Sequence, residues 1–282
     1  MDATNTRRYT KSPTRHADYE WDAEVRGGLT ALRAKFRSKR LRRTPPRGDI
    51  IGFSQRSRCK MLKFVATIDW QHAGDGVFVT LTWPTAAWPA DKNTRMRCLW
   101  EFLRITEKHL GHKVSGLWRC EWKKRLSGKH RGEFLPHFHL ILFGVRFIDK
   151  ELVKKWWGKV CGVARGVTWI DRLDSREKHA VYIAKYAAKP TPLSVLDYVP
   201  YSRNVSGRHW GYYRLTDLPR HPSLYFENVP LATVIQLQAL AQSQLPWYDA
   251  ELDLGFTLFG KHGEQLADAA LEIILDTMPW QE

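Results

Sequence analysis

Leu135-Pro136-His137-Phe138-His139-Leu140-Ile141-Leu142-Phe143-Gly144 is the stretch on which the reading of this chain turns. It is a short apolar strand pattern with two histidines placed two residues apart. Side chains at i and i+2 of a strand share a face, so His137 and His139 present their imidazoles side by side. Phe138, Leu140 and Leu142 point the other way, into a core. A histidine pair on a rigid strand suits a divalent metal; the same spacing also suits two ordinary histidines on a half-buried strand. The surrounding residues decide between the two.

Just upstream, Val114 to Lys124 reads as a strand with Glu121 near its end. The loop 123–132 is basic and contains glycine, which makes the two strands an antiparallel hairpin. Further upstream, Val77-Phe-Val-Thr-Leu-Thr-Trp-Pro84 is a buried strand stopped by proline, with Thr80 and Thr82 on one face. A helix over 93–110, starting near Asn93 or Thr94 and closed by Gly111, lies between these strands. Ser54 caps an earlier helix through Met61, Leu62, Val65 and Ile68. Downstream come a helix capped by Asp149 with Leu152, Val153, Trp156 and Val160 inward, and then a strand over 166–172. A helix from Asp174 to Lys189 follows, with Glu177 completing a capping box. The order strand–helix–strand–strand–helix–strand–helix predicts an α+β fold, an antiparallel sheet with helices packed on it in a split βαβ arrangement.

The chain has 282 residues, a net charge of +16 and thirteen tryptophans. So strong a positive balance points to a polyanionic partner, with nucleic acid first. No apolar run is long enough to cross a membrane, the N-terminus lacks a secretory signal, and the four separated cysteines suit a reducing cytoplasm. Charge is uneven: residues 1–63 carry +11 and residues 231–282 carry −7. Three segments are therefore expected: a basic N-terminal arm at 1–52, a central domain at 53–213 and an acidic extension at 214–282. Within the arm, an amphipathic helix is expected over 22–42, and Arg37, Lys39, Arg40, Arg42 and Arg43 form a DNA-gripping cluster before Pro45-Pro46.

On the helix through Glu177–Lys189, the residues Lys178, Tyr182, Lys185, Tyr186 and Lys189 share one face, opposite Ala180, Ile183, Ala184 and Ala187. Neighbouring ammonium groups favour a phenolate over its ordinary value near 10 and attract phosphate. A phenolate beside a metal-bound phosphodiester is a nucleophile for transesterification. The alternative is an exposed helix whose tyrosines pack over their neighbours. Arg208, His209 and Trp210 lie between glycines in an expected loop, where a guanidinium and rings suit single-stranded DNA. Gly255 to Lys261 has P-loop spacing, but His262 replaces the Ser or Thr that would hold Mg²⁺, and the interior reads as a strand.

Taken together, these motifs resemble the His-hydrophobic-His (HUH) endonuclease superfamily, and within it the rolling-circle replication initiators (Rep proteins) of plasmids and small single-stranded DNA phages. Phe78-Val-Thr-Leu-Thr82 looks like the first motif, Pro136-His-Phe-His139 like the metal-binding second, and Tyr182-x-x-Lys185-Tyr186 like the tyrosine-bearing third. Phe53-Ser54 and Ser206-Gly-Arg-His-Trp-Gly211 resemble flanking segments, so the likeness spans about residues 53 to 213, with an RRM-like core. The resemblance implies a bound Mg²⁺ or Mn²⁺ held by His137, His139 and a third polar residue. Glu121 ranks first for that place and Glu133, at the turn, second. It also implies nicking of single-stranded origin DNA, a 5′-phosphotyrosine link and a free 3′-OH. Both Tyr182 with Lys185 and Tyr186 with Lys189 fit the motif, with Tyr182 favoured if one acts alone. A host helicase and DNA polymerase are the implied partners, in the cytoplasm of a bacterial host.

A conjugative relaxase and a single-strand transposase use the same chemistry. Relaxases usually place the tyrosine before the histidines, and the transposases lack such long flanks. Two further readings are a catalytically silent basic DNA-binding module and a metallohydrolase with water as nucleophile.

Overall fold

The computed structural model describes residues 19–36, 53–84, 87, 91–126, 131–173, 208–245, 248, 255–259 and 261–278. Its elements, in chain order, begin with β1 (Tyr19–Arg26), β2 (Leu29–Phe36), α1 (Gln55–Val65), β3 (Gly76–Thr82), α2 (Lys92–Leu110), β4 (Ser115–Lys124) and β5 (Phe134–Phe143). They continue with α3 (Lys150–Cys161), β6 (Val167–Leu173), β7 (Trp210–Tyr213), β8 (Leu224–Phe226), α4 (Leu231–Gln244), β9 (Gly255–Phe259) and α5 (Lys261–Thr277). The fold is α+β, with two antiparallel sheets and five helices among the described residues. Contacts divide the chain into two units, Pro45–Arg220 and Met1–Thr44 with His221–Glu282.

In the first unit the strand order is β6-β3-β5-β4-β7. The run β3-α2-β4-β5-α3-β6 is a split βαβ pair, because β5 lies between the strands that α2 connects. Val77, Val79 and Leu81 of β3 and Phe138, Leu140 and Leu142 of β5 alternate onto one face. There they meet Leu99, Phe102 and Leu103 of α2 and Val153, Trp156 and Trp157 of α3. Trp157 also donates its indole N–H to the Thr82 carbonyl at 2.8 Å, which ties α3 to the end of β3.

Local signals set the helix ends. Ser54 accepts from the Ser57 amide and Asp149 from Glu151 and Leu152. The cap of α2 is Asp91, which accepts from Thr94, so this helix starts earlier than Asn93 or Thr94 suggested; Gly111 closes it at φ 74°. The tyrosine-bearing helix expected after Leu173 lies outside the described residues.

The expected helix over 22–42 is not formed. Residues 19–36 are a β-hairpin with every residue of β1 paired to β2, and Gly27 adopts φ 50° at its turn. Gly27-Gly28 between period-two runs is a hairpin signal, and it outweighs the charge pattern that suggested a helix. These residues of the expected arm belong to the second sheet, in the order β8-β1-β2-β9. Trp21, Ala23, Val25 and Leu32 form a core with Val234 and Leu237 of α4 and Leu266, Ala270 and Ile274 of α5. The acidic extension thus supplies strands and helices to the same unit as the hairpin. Phe256 to Phe259 pair with β2 as a strand, so the P-loop spacing at Gly255 shapes no phosphate loop. Arg37, Lys39, Arg40, Arg42 and Arg43 lie outside the described residues.

Candidate metal centre and nucleic-acid face

The sheet face opposite α2 and α3 is built from cross-strand rows. Val167, Thr82, His137 and Glu121 form one row across β6, β3, β5 and β4. Trp169, Thr80, His139, Arg119 and Trp210 form the next. The third holds Asp171, Phe78, Ile141, Leu117 and Tyr212. Helix α1 covers the third row: Met61 packs with Phe53, Phe78, Leu117 and Ile141, and the Trp210 indole donates to the Ser57 hydroxyl at 3.1 Å. The first row is left at the open end of the face.

Each histidine is anchored through Nδ1. His137 Nδ1 lies 3.0 Å from the Thr82 hydroxyl, and His139 Nδ1 lies 3.1 Å from that of Thr80. A hydroxyl can donate or accept, so each threonine fixes its ring while tolerating either tautomer. Phe78 stacks on His139 with ring centroids 5.8 Å apart and planes at 13°. The two imidazoles are themselves nearly parallel, 6.4 Å between centroids. His139 Nε2 lies 3.0 Å from Glu121 Oε2. Because a carboxylate only accepts, Nε2 carries the proton there and Nδ1 accepts from Thr80.

Among the described residues no three His, Cys, Asp or Glu side chains converge into a metal-holding group. The His139–Glu121 contact is direct, and a cation between them would replace that hydrogen bond. The donor set nevertheless fits a divalent ion in three respects. Two imidazoles and one carboxylate share a face, the rings are held through Nδ1 so that Nε2 is the ligating atom, and His137 is neutral. Burial, then the neighbouring His139 and Lys123, push His137 down to about 4. Metal-bound histidines are commonly oriented by this kind of hydrogen bond. Glu121 stands directly opposite His137 in the hairpin register, whereas Glu133 is four residues before it, about 13 Å along an extended chain. The register favours Glu121 over Glu133 as the third donor.

A cavity of about 320 Å³ opens beside His137, lined also by Val167, Leu135, Lys123, Arg125 and Leu126. Lys123 shares the face of Glu121, two residues further along β4, and is exposed. Cations therefore ring the open end of the site, where a phosphodiester backbone would need them.

Other predicted residues are placed differently. His209 is 4% exposed, stacks on Phe53 at 6.2 Å, and its carbonyl accepts from the Cys120 amide. Burial and the nearby Arg95 and Arg119 push it down to about 3. It is a neutral core group and offers no ring to a DNA base, which corrects the expected role. Arg208 beside it is exposed. Trp210, expected in a loop, begins β7. Tyr182, Tyr186, Lys185, Lys189 and Lys178 lie outside the described residues. Sequence reasoning gave Thr80 and Thr82 no role, although their shared face was the available signal.

No curated protein and no solved structure matches the chain. Residues 76–191 match the model of a family described as Replication-associated protein ORF2. The matched span opens on the first residue of β3 and contains the segments 78–82, 136–139 and 182–186. With the histidine pair and its glutamate on one sheet face, this match supports a replication-associated protein.

Proposed function

We propose that the protein starts rolling-circle replication by nicking single-stranded origin DNA through tyrosine transesterification. The observation that carries this reading is the register that sets His137, His139 and Glu121 on one sheet face, with Thr82 and Thr80 behind the two imidazoles. These three residues would hold Mg²⁺ or Mn²⁺, which acts as a Lewis acid on a phosphodiester oxygen when bound. The chain's own groups do the rest. Lys123 and Arg125 draw the DNA backbone to the open row. Tyr182 or Tyr186, its phenol made more acidic by Lys185 and Lys189, attacks phosphorus. A bond from tyrosine oxygen to phosphorus forms as the bond from phosphorus to the 3′ oxygen breaks. The phenol's proton leaves to solvent, and the 3′ oxygen takes one up as the 3′-OH that a polymerase extends. The phosphotyrosine keeps the energy of the broken bond, so resealing needs no nucleotide. A host helicase and polymerase would complete the reaction in the cytoplasm of a bacterial cell.

The test is product chemistry. The single-stranded form of the encoding replicon is incubated with the protein and Mn²⁺, and the ends are analysed. A 3′ end extended directly by a polymerase, with a 5′ end blocked to labelling by kinase even after phosphatase, is expected. A 5′ end that becomes labelled after phosphatase means that water was the nucleophile, and contradicts the reading.

A further inference from the structure

We propose that Trp169 is a stacking platform for a base of single-stranded DNA, next to the phosphate held at the histidine pair. This rests on the reading above and adds a subsite to it. Trp169 projects from β6 and is 66% exposed, and Val167 on the same face is 59% exposed. Large apolar side chains that stand alone on a surface are ordinary. What distinguishes these two is position. Trp169 stands in the row of Thr80 and His139, and Val167 in the row of Thr82 and His137. The intervening β3 separates β6 from β5, so the indole backbone lies two strand spacings, about 10 Å, from that of His139. Ile170, on the other face of β6, packs against the core with α2 and α3, so the strand needs no burial of Trp169 to be held.

Val167 also lines the cavity beside His137, where exposed Leu126 and the cations of Lys123 and Arg125 meet it. An apolar wall with cations at its rim complements a base joined to a phosphate. Stacking on an indole accepts any base, so this subsite anchors the strand and leaves sequence choice to other contacts.

The experiment is binding of a fluorescently labelled oligothymidylate to the full chain in EDTA, read by anisotropy. Trp169→Ala is expected to weaken binding about tenfold, the usual scale for losing one stacked base. Trp169→Phe is expected to keep most of the affinity. An abasic oligomer of equal length should bind the wild-type chain and Trp169→Ala alike. Equal oligothymidylate affinity for wild type and Trp169→Ala overturns the proposal. If the alanine variant does not fold, photocross-linking of a 5-iododeoxyuridine oligomer to the unaltered chain decides. An adduct on the peptide carrying Trp169 supports the platform, and adducts confined to other peptides overturn it. Assay of covalent DNA attachment on the same preparations separates the two readings. Attachment with unaltered Trp169→Ala affinity sinks the platform alone, and weakened affinity without attachment sinks the nicking reaction alone.

Discussion

At the scale of single residues, Thr80 and Thr82 bear most on the proposed chemistry. Each holds one imidazole by Nδ1, at 3.1 and 3.0 Å respectively. Valine has the shape of threonine without the hydroxyl, so Thr82→Val leaves His137 in place but unoriented. We expect Mn²⁺ affinity to fall about 10- to 100-fold, the usual cost of losing a ligand's hydrogen-bond partner, with the fold retained. Titration calorimetry would show it, and unchanged affinity would remove Thr82 from the site. His209 gives a second prediction. Its folded-state value is about 3 against an ordinary 6.5, so the unfolded chain binds the extra proton between those values. Stability contributed by the neutral ring is present above about 6.5 and is lost as the pH falls toward 3. Urea unfolding of His209→Phe should show a shallower loss over that window than wild type. The sequence showed the histidine pair and Glu121 because a period-two pattern assigns faces directly. It misplaced His209 because a histidine between glycines resembles an exposed loop, and its burial depends on Phe53, far earlier in the chain.

Elements were legible where local patterning and caps agreed. The β4–β5 hairpin, α3 and its Asp149 cap, and the strand character of Gly255–Phe259 all follow from sequence. The hairpin β1–β2 was missed because its basic residues, Arg26, Arg33 and Lys35, drew attention from the Gly27-Gly28 turn. Strand β7 is four residues long and is fixed by pairing with β4, which no local signal reports. One contact locks that edge to α2. Glu107 accepts from the Val114 amide, the Tyr213 hydroxyl and both Arg214 Nε and Nη2 at 2.7 to 3.1 Å. The Arg214 guanidinium is the main reason its carboxyl is held below the ordinary value of 4.5. Stability from this clamp is therefore present at neutral pH and is lost as the pH falls below about 4.5. Glu107→Gln keeps the shape and removes the charge, and should cost about 2 kcal/mol at pH 7. Denaturant midpoints at pH 7 and pH 4 would check both the size and the narrowing of that difference.

For the whole molecule, charge was read directly from sequence and the pairing of distant segments was not. Residues 19–36 and 255–259 meet in one sheet although most of the chain separates them. Contacts of that range are set by tertiary packing, which a local pattern cannot announce. The net charge of +16 predicts that single-stranded DNA affinity falls steeply with salt. The slope of log affinity against log salt should be about −0.7 per phosphate contacted, and a charge-neutralising Lys123→Gln should reduce it by roughly that amount. A slope unchanged by the substitution would place Lys123 away from the DNA path. The central claim concerns the bond that the molecule makes. The direct measurement is incubation with Mn²⁺ and labelled single-stranded DNA of the encoding replicon, run on a denaturing protein gel. The account predicts a DNA-shifted protein band that vanishes in the Tyr182→Phe/Tyr186→Phe double variant. Cleavage with no shifted band, or a band that survives in that variant, would contradict it.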